Sequence, residues 1–364
     1  LDFNSKLNKA AYGENVKEAE KLLDEAGWKK GSDGFRYKDG KKLAPLIYGI
    51  SGAFKEIAEA VQGDLRKVGV DLQIQLFDST VAWGKQLTAI DVTPGEQVVA
   101  HFADGSYATG DLVIGCDGIQ SRTRQIIDPG APSPRYTGLI SCGGFAHNTA
   151  LAPTPDTQHF IFGKRAFFGY FVKPGGEVWW FSNLAYAGEP RRAELAAIPH
   201  AVWQQKLLDL YRDDQPLIND IIRASTSDIG MYPIYDVPAT AIWHKGPLVL
   251  LGDAVHAMSP SAGQGASFAL EDAVVLAQCI RDFETLADAF ATYAALRRAR
   301  VEKMVSASRR LGNNKAAPNA MARWLRDLML PFILKLDANS RTLNWVYGYT
   351  VDWDTRSQAP AQKQ

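Results

Sequence analysis

Residues 246–277, GPLVLLGDAVHAMSPSAGQGASFALEDAVVLA, join an apolar run to a loop punctuated by glycine and proline and then to a helical pattern. Residues 248–251 are apolar without alternation, which is typical of a strand buried on both faces in a sheet covered by helices. Ligands of such sheets bind beyond the carboxyl ends of the strands. The stretch therefore predicts an α/β fold with a ligand site in the loop after Leu251.

The residue types of this loop suit a flat ligand that carries hydroxyl groups. Gly252 lets the backbone turn sharply, and Asp253 supplies a short carboxylate that accepts hydrogen bonds from sugar-like hydroxyls. Gly263 and Gly265 carry no Cβ that would obstruct a planar ring, and Pro260 restricts the path of the chain.

A helix is expected to begin near Ala266, directly behind the loop. Its first-turn N–H groups lack partners within the helix and form the positive end of the helix dipole, so the loop favours a ligand that develops negative charge. The alternative is an ordinary strand, loop and helix whose glycines only serve tight turns. The order of these features over one continuous stretch favours the ligand site.

A second loop, DLVIGCDGIQSRTRQ at residues 111–125, repeats the plan of a buried strand followed by glycine and a carboxylate. Asp117 and Gly118 form the turn, and Ser121 and Arg124 follow it. A pyrophosphate or a nicotinamide cofactor could use the carboxylate, the bare backbone and the cationic side chains. The alternative is a surface Asp-Gly turn with a capping serine.

The composition limits the partners and the compartment. Lysine plus arginine equals aspartate plus glutamate, 40 each in 364 residues, so no global charge attracts nucleic acid. The three cysteines and six histidines lack ligand spacing, so we predict neither a disulfide framework nor a metal site. No window approaches about 18 uninterrupted apolar residues, so we predict no integral membrane segment. A reducing compartment, the cytoplasm, fits these features best.

The two loops, in this order, resemble the class A flavoprotein monooxygenases of the p-hydroxybenzoate hydroxylase type. In that family the first loop is D-G-x-x-S-x-x-R, and the second is G-D-A-x-H followed by P-x-x-G-Q-G and E-D-A. The resemblance covers about residues 88–352. The matching residues are Asp117, Gly118, Ser121 and Arg124 in the first loop, and Gly252, Asp253, Ala254, His256, Pro260, Gly263, Gln264, Gly265, Glu271, Asp272 and Ala273 in the second.

The resemblance implies a bound FAD that is reduced by NADH or NADPH and reacts with molecular oxygen to hydroxylate an aromatic small molecule. Because the reactive oxygen belongs to the cofactor, the protein contributes position and electrostatics, and no catalytic side chain is assigned.

The same resemblance implies roles for individual residues. Asp253 would hold the ribityl and phosphate region of FAD. The loop from Pro260 through Gln264 to Ala266 would face the flavin pyrimidine ring. Asp117 and Gly118 would lie near the pyrophosphate and the nicotinamide route, with Arg124 in the same site.

One part of that family's pattern is missing, because no G-x-G-x-x-G unit for the FAD pyrophosphate occurs in this chain. Residues 15–83 instead resemble the second lobe of the periplasmic peptide and nickel substrate-binding proteins. The chain is therefore interpreted as a fusion, natural, engineered or an assembly artefact, whose FAD retention is weakened. The rival interpretations are a solute-binding module of a transport system and an inactive chimera.

The predicted domains follow from these resemblances. Residues 1–85 are expected to form a small αβ segment. Residues 86–134 and 236–364 are expected to form a partial, Rossmann-like FAD-binding domain, and residues 135–235 a substrate-binding sheet domain.

Three tyrosines, Tyr170, Tyr232 and Tyr235, are predicted to line an aromatic substrate pocket on that sheet. His256 is predicted to be a hydrogen-bonding packing residue rather than a proton shuttle. The stretch MARWLRDLMLPFILKL at 321–336 suggests an interfacial helix, yet Pro331 and its position in the family favour a tail packed on the core.

Overall fold

A computed structural model describes residues 16–44, 46–50, 53–77, 87–93, 97–147, 149–154, 157–225, 229–314, 321, 324–329 and 344–358. The chain forms two compact units. The first comprises Leu1–Ile90 and Val99–Ala108, and the second Asp91–Val98 and Thr109–Gln364. The division of the second unit into two domains stays a prediction.

The first unit has the mixed helix and strand content that the sequence predicts. Helix α1 spans residues 16–25, and Gly27 ends it with a φ of +85°. The predicted cap, Asn15, lies outside the described residues. The other elements are β1 (Lys29–Lys30), β2 (Arg36–Lys38), β3 (Lys41–Lys42), β4 (Leu46–Ile50), α2 (Ala53–Lys67) and β5 (Gln73–Phe77). Strands β1 to β3 form an antiparallel sheet, and β4 and β5 pair in parallel.

A three-stranded sheet of β6 (Leu87–Val92), β7 (Val98–Phe102) and β8 (Tyr107–Gly110) follows. Its second turn lies at Asp104 and Gly105. Gly105 has a φ of +81°, and the Asp104 carboxylate accepts a hydrogen bond from the Ser106 amide at 3.0 Å.

The second unit contains a five-stranded antiparallel sheet in the order β11-β12-β13-β10-β14. Its strands are β10 (Arg135–Ala146), β11 (His159–Phe162), β12 (Ala166–Val172), β13 (Val178–Ala185) and β14 (Gly230–Asp236). A hairpin about residues 174–176 joins β12 to β13, and Gly176 adopts a φ of +81° there.

One face of this sheet packs against α4 (Arg192–Ala196), α5 (His200–Leu210) and α6 (Pro216–Arg223). The Phe168 and Trp180 rings stack 5.5 Å apart in this core and are fully buried. Period-two alternation on the strands directs these side chains to one face, so the helices cover a continuous apolar surface.

A smaller sheet carries the loops of interest in the order β15 (His244–Lys245), β16 (Leu248–Leu250), β9 (Val113–Gly115). Strands β16 and β9 are parallel, so their carboxyl ends meet at one edge. The predicted burial of β16 is confirmed, since its three residues are at most 5% exposed. The predicted burial of β9 is wrong: it is an edge strand whose Ile114 is 42% exposed.

The helices of this region begin where the loops end. They are α3 (Arg122–Ile127), α7 (Asp253–His256), α8 (Gly265–Asp282), α9 (Leu286–Asn314), α10 (residues 324–329) and α11 (Asn344–Tyr347). Helix α8 starts one residue before the predicted position and packs along α9. The buried Tyr293 hydroxyl of α9 donates to the Leu250 carbonyl at 3.2 Å, which fixes α9 against the small sheet.

Candidate cofactor-binding site

The turn after β16 requires glycine. Gly252 has φ 59° and ψ −137°, a conformation that is essentially confined to glycine. A Cβ at this position would lie 3.0 Å from the Ala269 Cβ of α8. The close approach brings the start of α7 directly against α8.

Asp253 stands at the open side of this turn. It is exposed, and among the described residues its carboxylate has no hydrogen-bond or ion-pair partner. Its Oδ1 atom lies 4.0 Å from the position that a Cβ of Gly265 would occupy. The carboxylate is therefore presented beside the first residue of α8.

The glycines of the loop leave its surface bare. Gly263 adopts the left-handed conformation with φ 64°, and no atom lies within 4 Å of the position of its absent Cβ. Around Gly265 the nearest such atom is the Asp253 Oδ1. The positions of the two absent Cβ atoms are thus not crowded by side chains of the described residues, and the backbone at Gly263 and Gly265 is open to a ligand.

Helix α8 begins behind the bare loop without a side-chain cap. Gln264 is the N-cap residue, and its side chain makes no capping hydrogen bond. The first-turn amides of residues 265–267 are half-buried or exposed and lack partners within the helix. With the helix dipole they form a site for negative charge.

Helix α9 supports the loop from below. The Ser308 hydroxyl donates to the Ser259 carbonyl and accepts a hydrogen bond from the Ala262 amide at 3.3 Å. A Cβ at Gly312 would lie 2.9 Å from the Ser261 hydroxyl and 3.7 Å from Leu139 of β10. The loop is therefore adjacent to the end of the large sheet.

A buried ionic network holds the two ends of the loop together. Asp272 is fully buried and accepts hydrogen bonds from the Gly252 amide at 3.1 Å, from the His256 ring and from the Arg297 guanidinium at 2.7 Å. Arg297 also contacts Glu271 at 2.7 Å. The prediction that His256 is a hydrogen-bonding packing residue is confirmed, since it is buried against Asp272.

Electrostatics keep this network charged. Burial would raise the pKa of Asp272, but the hydrogen bonds and charges of His256 and Arg297 outweigh burial and lower it. Burial would likewise lower the pKa of Arg297, but the Asp272 and Glu271 carboxylates raise it. The sequence signal for this network was the E-D-A motif, which contains Glu271 and Asp272 but not Arg297.

The first loop is closed on itself. Asp117 accepts hydrogen bonds from the Ser121 hydroxyl at 2.6 Å, the Thr123 amide at 2.9 Å and the Thr123 hydroxyl at 3.0 Å. The predicted contact of Asp117 with a pyrophosphate does not fit this arrangement, because its carboxylate caps the start of α3. Gly118 makes the turn with a φ of +75° and has open space around it.

Arg124 also differs from its predicted position. Its side chain is buried, and the guanidinium donates to the Ala254 carbonyl at 2.7 Å and to the Ile119 carbonyl at 2.8 Å. These contacts give Arg124 a structural role between the loops, and its assignment to the cofactor site stays a prediction. Arg124 ties the first loop to the second, across 130 positions of the chain.

The three tyrosines predicted to share one pocket lie in separate places. Tyr170 belongs to the helix-covered core, where it stacks on His159 at 4.6 Å. Tyr235 lies 5.7 Å from the Tyr136 ring, and burial raises the pKa of Tyr136 to about 12. The prediction fails because strand alternation and the β-bulge between Tyr136 and Ile140 direct these rings apart.

Of the three tyrosines, Tyr232 is the one that lines a cavity described here by its neighbours. This cavity of about 370 Å³ lies between β14 and the α4–α5 corner, and Arg192, His200 and Trp203 also line it. The Arg192 guanidinium lies 5.0 Å from the Tyr232 ring centroid. Tyr232 pairs with Ser141, two residues from the Leu139 that neighbours Gly312 and the bare loop.

The described residues contain no cluster of three or more histidine, cysteine, aspartate or glutamate side chains that could hold a metal ion. No helix among them is long and apolar enough to cross a membrane. All three cysteines are free thiols, with Cys116 exposed and the other two buried.

Comparison with known proteins decides the family. Residues 80–308 match the model of the FAD binding domain family. The chain belongs to the FAD binding domain family. The predicted resemblance over about residues 88–352 is thereby confirmed, and the bare loop, Asp253 and the α8 amides all lie within the family match. Residues 1–96 also match a second family, the bacterial extracellular solute-binding proteins, family 5 Middle. The predicted fusion is therefore confirmed.

Curated relatives of this FAD binding domain chain include an aurachin C monooxygenase/isomerase from Stigmatella aurantiaca, 32% identical over 66% of this chain and 61% of the relative. A 6-hydroxynicotinate 3-monooxygenase from Pseudomonas fluorescens is 32% identical over 63% and 60%. A Klebsiella pneumoniae FAD-dependent urate hydroxylase is 31% identical over 66% and 62%. The chain thus spans about three fifths of the length of the curated relatives it matches.

Solved structures show the same fold. Klebsiella pneumoniae HpxO, complexed with FAD and uric acid, aligns with a TM-score of 0.60 at 23% identity over 80% of this chain and 78% of that chain. A salicylate hydroxylase substrate complex aligns with a TM-score of 0.61 at 21% identity over 84% and 76%. The predicted fold class is confirmed.

Proposed function

We propose that this protein is an FAD-dependent monooxygenase that hydroxylates an aromatic small molecule with molecular oxygen and NADH or NADPH, in the cytoplasm. The observation that supports the proposal is the bare loop of residues 263–265, bounded by the free Asp253 carboxylate and the uncapped start of α8. When bound there, FAD supplies the redox chemistry and the activation of oxygen.

The residues of the chain have distinct parts in this proposal. Asp253 accepts hydrogen bonds from cofactor hydroxyls. Each such bond stabilises the complex by about 1.5–3 kcal/mol, because one partner is charged. The α8 amides stabilise negative charge on the ring that lies against them. Asp117 and Arg124 keep the two loops in place without touching the cofactor.

The substrate site belongs to the same proposal. The names of the relatives refer to 6-hydroxynicotinate and urate, which are ring compounds. In this chain the cavity beside Tyr232 offers aromatic surface from Tyr232 and Trp203 and a cation from Arg192. It lies near the end of the sheet that neighbours the bare loop, so we assign the aromatic substrate to it.

The experiment compares flavin content and affinity of the purified chain with those of Asp253→Ala. We expect the variant to lose flavin, with an affinity for added FAD lower by about 10- to 100-fold, since one or more charge-assisted hydrogen bonds are removed. The matched control is Asp220→Ala on α6, where an exposed aspartate is removed far from the loop. Equal FAD affinity in both variants would contradict the assignment of Asp253.

Turnover needs its own measurement. Oxygen-dependent oxidation of NADH or NADPH by the FAD-loaded protein is expected to increase when a hydroxylated aromatic acid or heterocycle is added, and mass spectrometry is expected to detect the added oxygen. If flavin is bound but no candidate substrate yields an oxygenated product, the proposed activity is contradicted, and the assignment of the cofactor site still stands.

A second candidate is a solute-binding module, which the match of residues 1–96 to an extracellular solute-binding family favours. Calorimetry with oligopeptides tests it. Heat of binding in a colourless protein would support the solute-binding function over the monooxygenase.

A further inference from the structure

A second cavity lies between α9 and the chain that follows β14. This cavity, here called the α9 cavity, has a volume of about 180 Å³. Val301 and Val305 of α9 line it together with Trp243 and Val255. None of its lining residues belongs to the bare loop or lines the cavity beside Tyr232. The α9 cavity is therefore a separate place in the second unit.

Most of the lining is apolar. Val255 and Val301 are 1% exposed, and Trp243 is 2% exposed. No lysine or arginine is among the lining residues that the structure describes. Glu302 also lines the cavity, but its carboxylate lies 3.9 Å from the Arg298 guanidinium, which itself lies 5.2 Å from the Trp243 ring centroid. The α9 cavity therefore favours an uncharged ligand, because a charged one would leave water without a free counter-charge.

One buried polar atom of the lining residues lacks a partner. His256 is 3% exposed, and its ring centroid lies 6.0 Å from that of Trp243. Its Nε2 atom is hydrogen-bonded to Asp272, whereas its Nδ1 atom has no hydrogen-bond partner among the described residues. Buried side-chain nitrogens are nearly always hydrogen-bonded, so an unpartnered one beside a cavity points to a ligand or a water. Because the two ring nitrogens point in different directions, Nδ1 remains available while the ring stays bound to Asp272.

A hydroxyl group suits Nδ1 of His256 in either protonation state of the ring. It donates to Nδ1 when that nitrogen carries no proton, and it accepts from Nδ1 when both ring nitrogens are protonated. An apolar cavity of about 150 Å³ is large enough to bind benzene. The α9 cavity therefore has room for a six-membered ring that carries one hydroxyl group.

We propose that the α9 cavity binds a small, uncharged ring compound whose hydroxyl group hydrogen-bonds to Nδ1 of His256. The ring lies against Trp243 and the valines of α9, where its apolar surface leaves water. Through His256 the ligand adds to the buried network beneath the second loop, since Asp272 holds both His256 and the Gly252 amide. The proposal requires neither bound flavin nor turnover.

The experiment is titration calorimetry of the whole chain with phenol and with toluene, which has a methyl group in place of the hydroxyl. We expect phenol to bind about 3- to 10-fold more tightly than toluene, which is the factor that one net hydrogen bond supplies. Equal affinities would overturn the proposal, because the hydroxyl would then make no net hydrogen bond. Absence of phenol binding would also overturn it, since water alone would then occupy the cavity.

Two variants test where phenol binds. Val305→Phe fills the cavity from α9, and Ala239→Leu fills it from the chain after β14. Each is expected to weaken phenol binding by at least about tenfold, because the added side chain occupies the space of the ring. Ala239 is exposed, so its variant keeps the test decisive if thermal unfolding shows that Val305→Phe does not fold.

Val274→Phe on α8 is the matched control. Val274 is 40% exposed and does not line the α9 cavity, so its variant is expected to bind phenol as the parent chain does. Equal phenol binding in the control and in the two cavity-filling variants would overturn the proposal, because phenol would then occupy another place, such as the cavity beside Tyr232.

Discussion

The first loop, residues 117–124, and the second, residues 252–265, both follow parallel strands, yet they use their polar groups in opposite ways. In the first loop, the Asp117 carboxylate accepts hydrogen bonds from Ser121 and Thr123, and the Arg124 guanidinium donates to backbone carbonyls. In the second, Asp253 and the α8 amides remain available. A motif shared with a cofactor-binding family therefore contains residues that shape a site as well as residues that are free to contact a ligand.

The second loop can stay open because its support is buried beneath it. Asp272 holds the Gly252 amide, and Arg297 holds Asp272 and Glu271. The Asp253 carboxylate that faces the open side of the loop is therefore free, while the Asp272 carboxylate that faces the protein is held by the Gly252 amide, the His256 ring and the Arg297 guanidinium.

The largest expected effect comes from removing this support. Arg297→Met removes the guanidinium that pairs with the buried Asp272, while Glu271 keeps its ion pair with Arg300, and is expected to lower the free energy of unfolding by about 3–5 kcal/mol. Urea unfolding measures it. Arg298→Met on the same helix is the control, because Arg298 is partly exposed, donates to the carbonyls of Thr240 and Ala241, and pairs with an exposed carboxylate, that of Glu302, at 3.9 Å. A similar loss in both variants would show that the network does not carry the loop.

The turn glycines of the two loops give the next contrast. Gly252→Ala is expected to cost about 2–3 kcal/mol, because alanine is strained at this φ and ψ and its Cβ would press on Ala269. Gly118→Ala has the positive φ but open space, and its expected cost is about 1 kcal/mol. Thermal unfolding of both variants checks the order, and equal shifts would contradict the tight packing at Gly252.

Substitutions of Asp117 and Asp253 are expected to separate an effect on stability from an effect on FAD binding. Asp117→Asn is expected to lower the free energy of unfolding by about 1–2 kcal/mol with little change in FAD affinity, since it caps α3. Asp253→Asn is expected to change stability by less than about 0.5 kcal/mol while FAD affinity falls. Melting curves and flavin titrations of the pair test this, and the reverse assignment would refute our distinction between the loops.

The smallest effect concerns pH. Because the pKa of Asp272 is lowered in the folded protein from its ordinary value of 3.8, its contribution to stability is complete above that value and is lost as the pH falls through the lower, folded pKa. Asp272→Asn has no carboxyl group to protonate, so the stability difference between it and the parent chain is expected to shrink as the pH falls below 3.8. Unfolding of both chains measured over that acid range checks this, since a constant difference would contradict it.

Much of this architecture was predictable from local patterns. The apolar run of β16, the start of α8 and the β12–β13 hairpin follow from hydrophobic periodicity and from glycine in turns, both of which are local properties of the chain. The exposure of Ile114 on β9 was not predictable in the same way. An apolar strand at a sheet edge and one at its centre have the same sequence pattern.

Residue types in a set order were enough to predict the family, the two joined segments and the position of the glycine-bared loop. Which polar groups are free depends on the packing of the folded chain. Whether a carboxylate meets a ligand or a neighbouring amide depends on contacts between residues far apart in the chain, such as Arg124 with Ala254 and Asp272 with Gly252. The same reason separates the three tyrosines and turns the apolar side chains of α10 toward solvent, since chain packing selects which face of an element is covered.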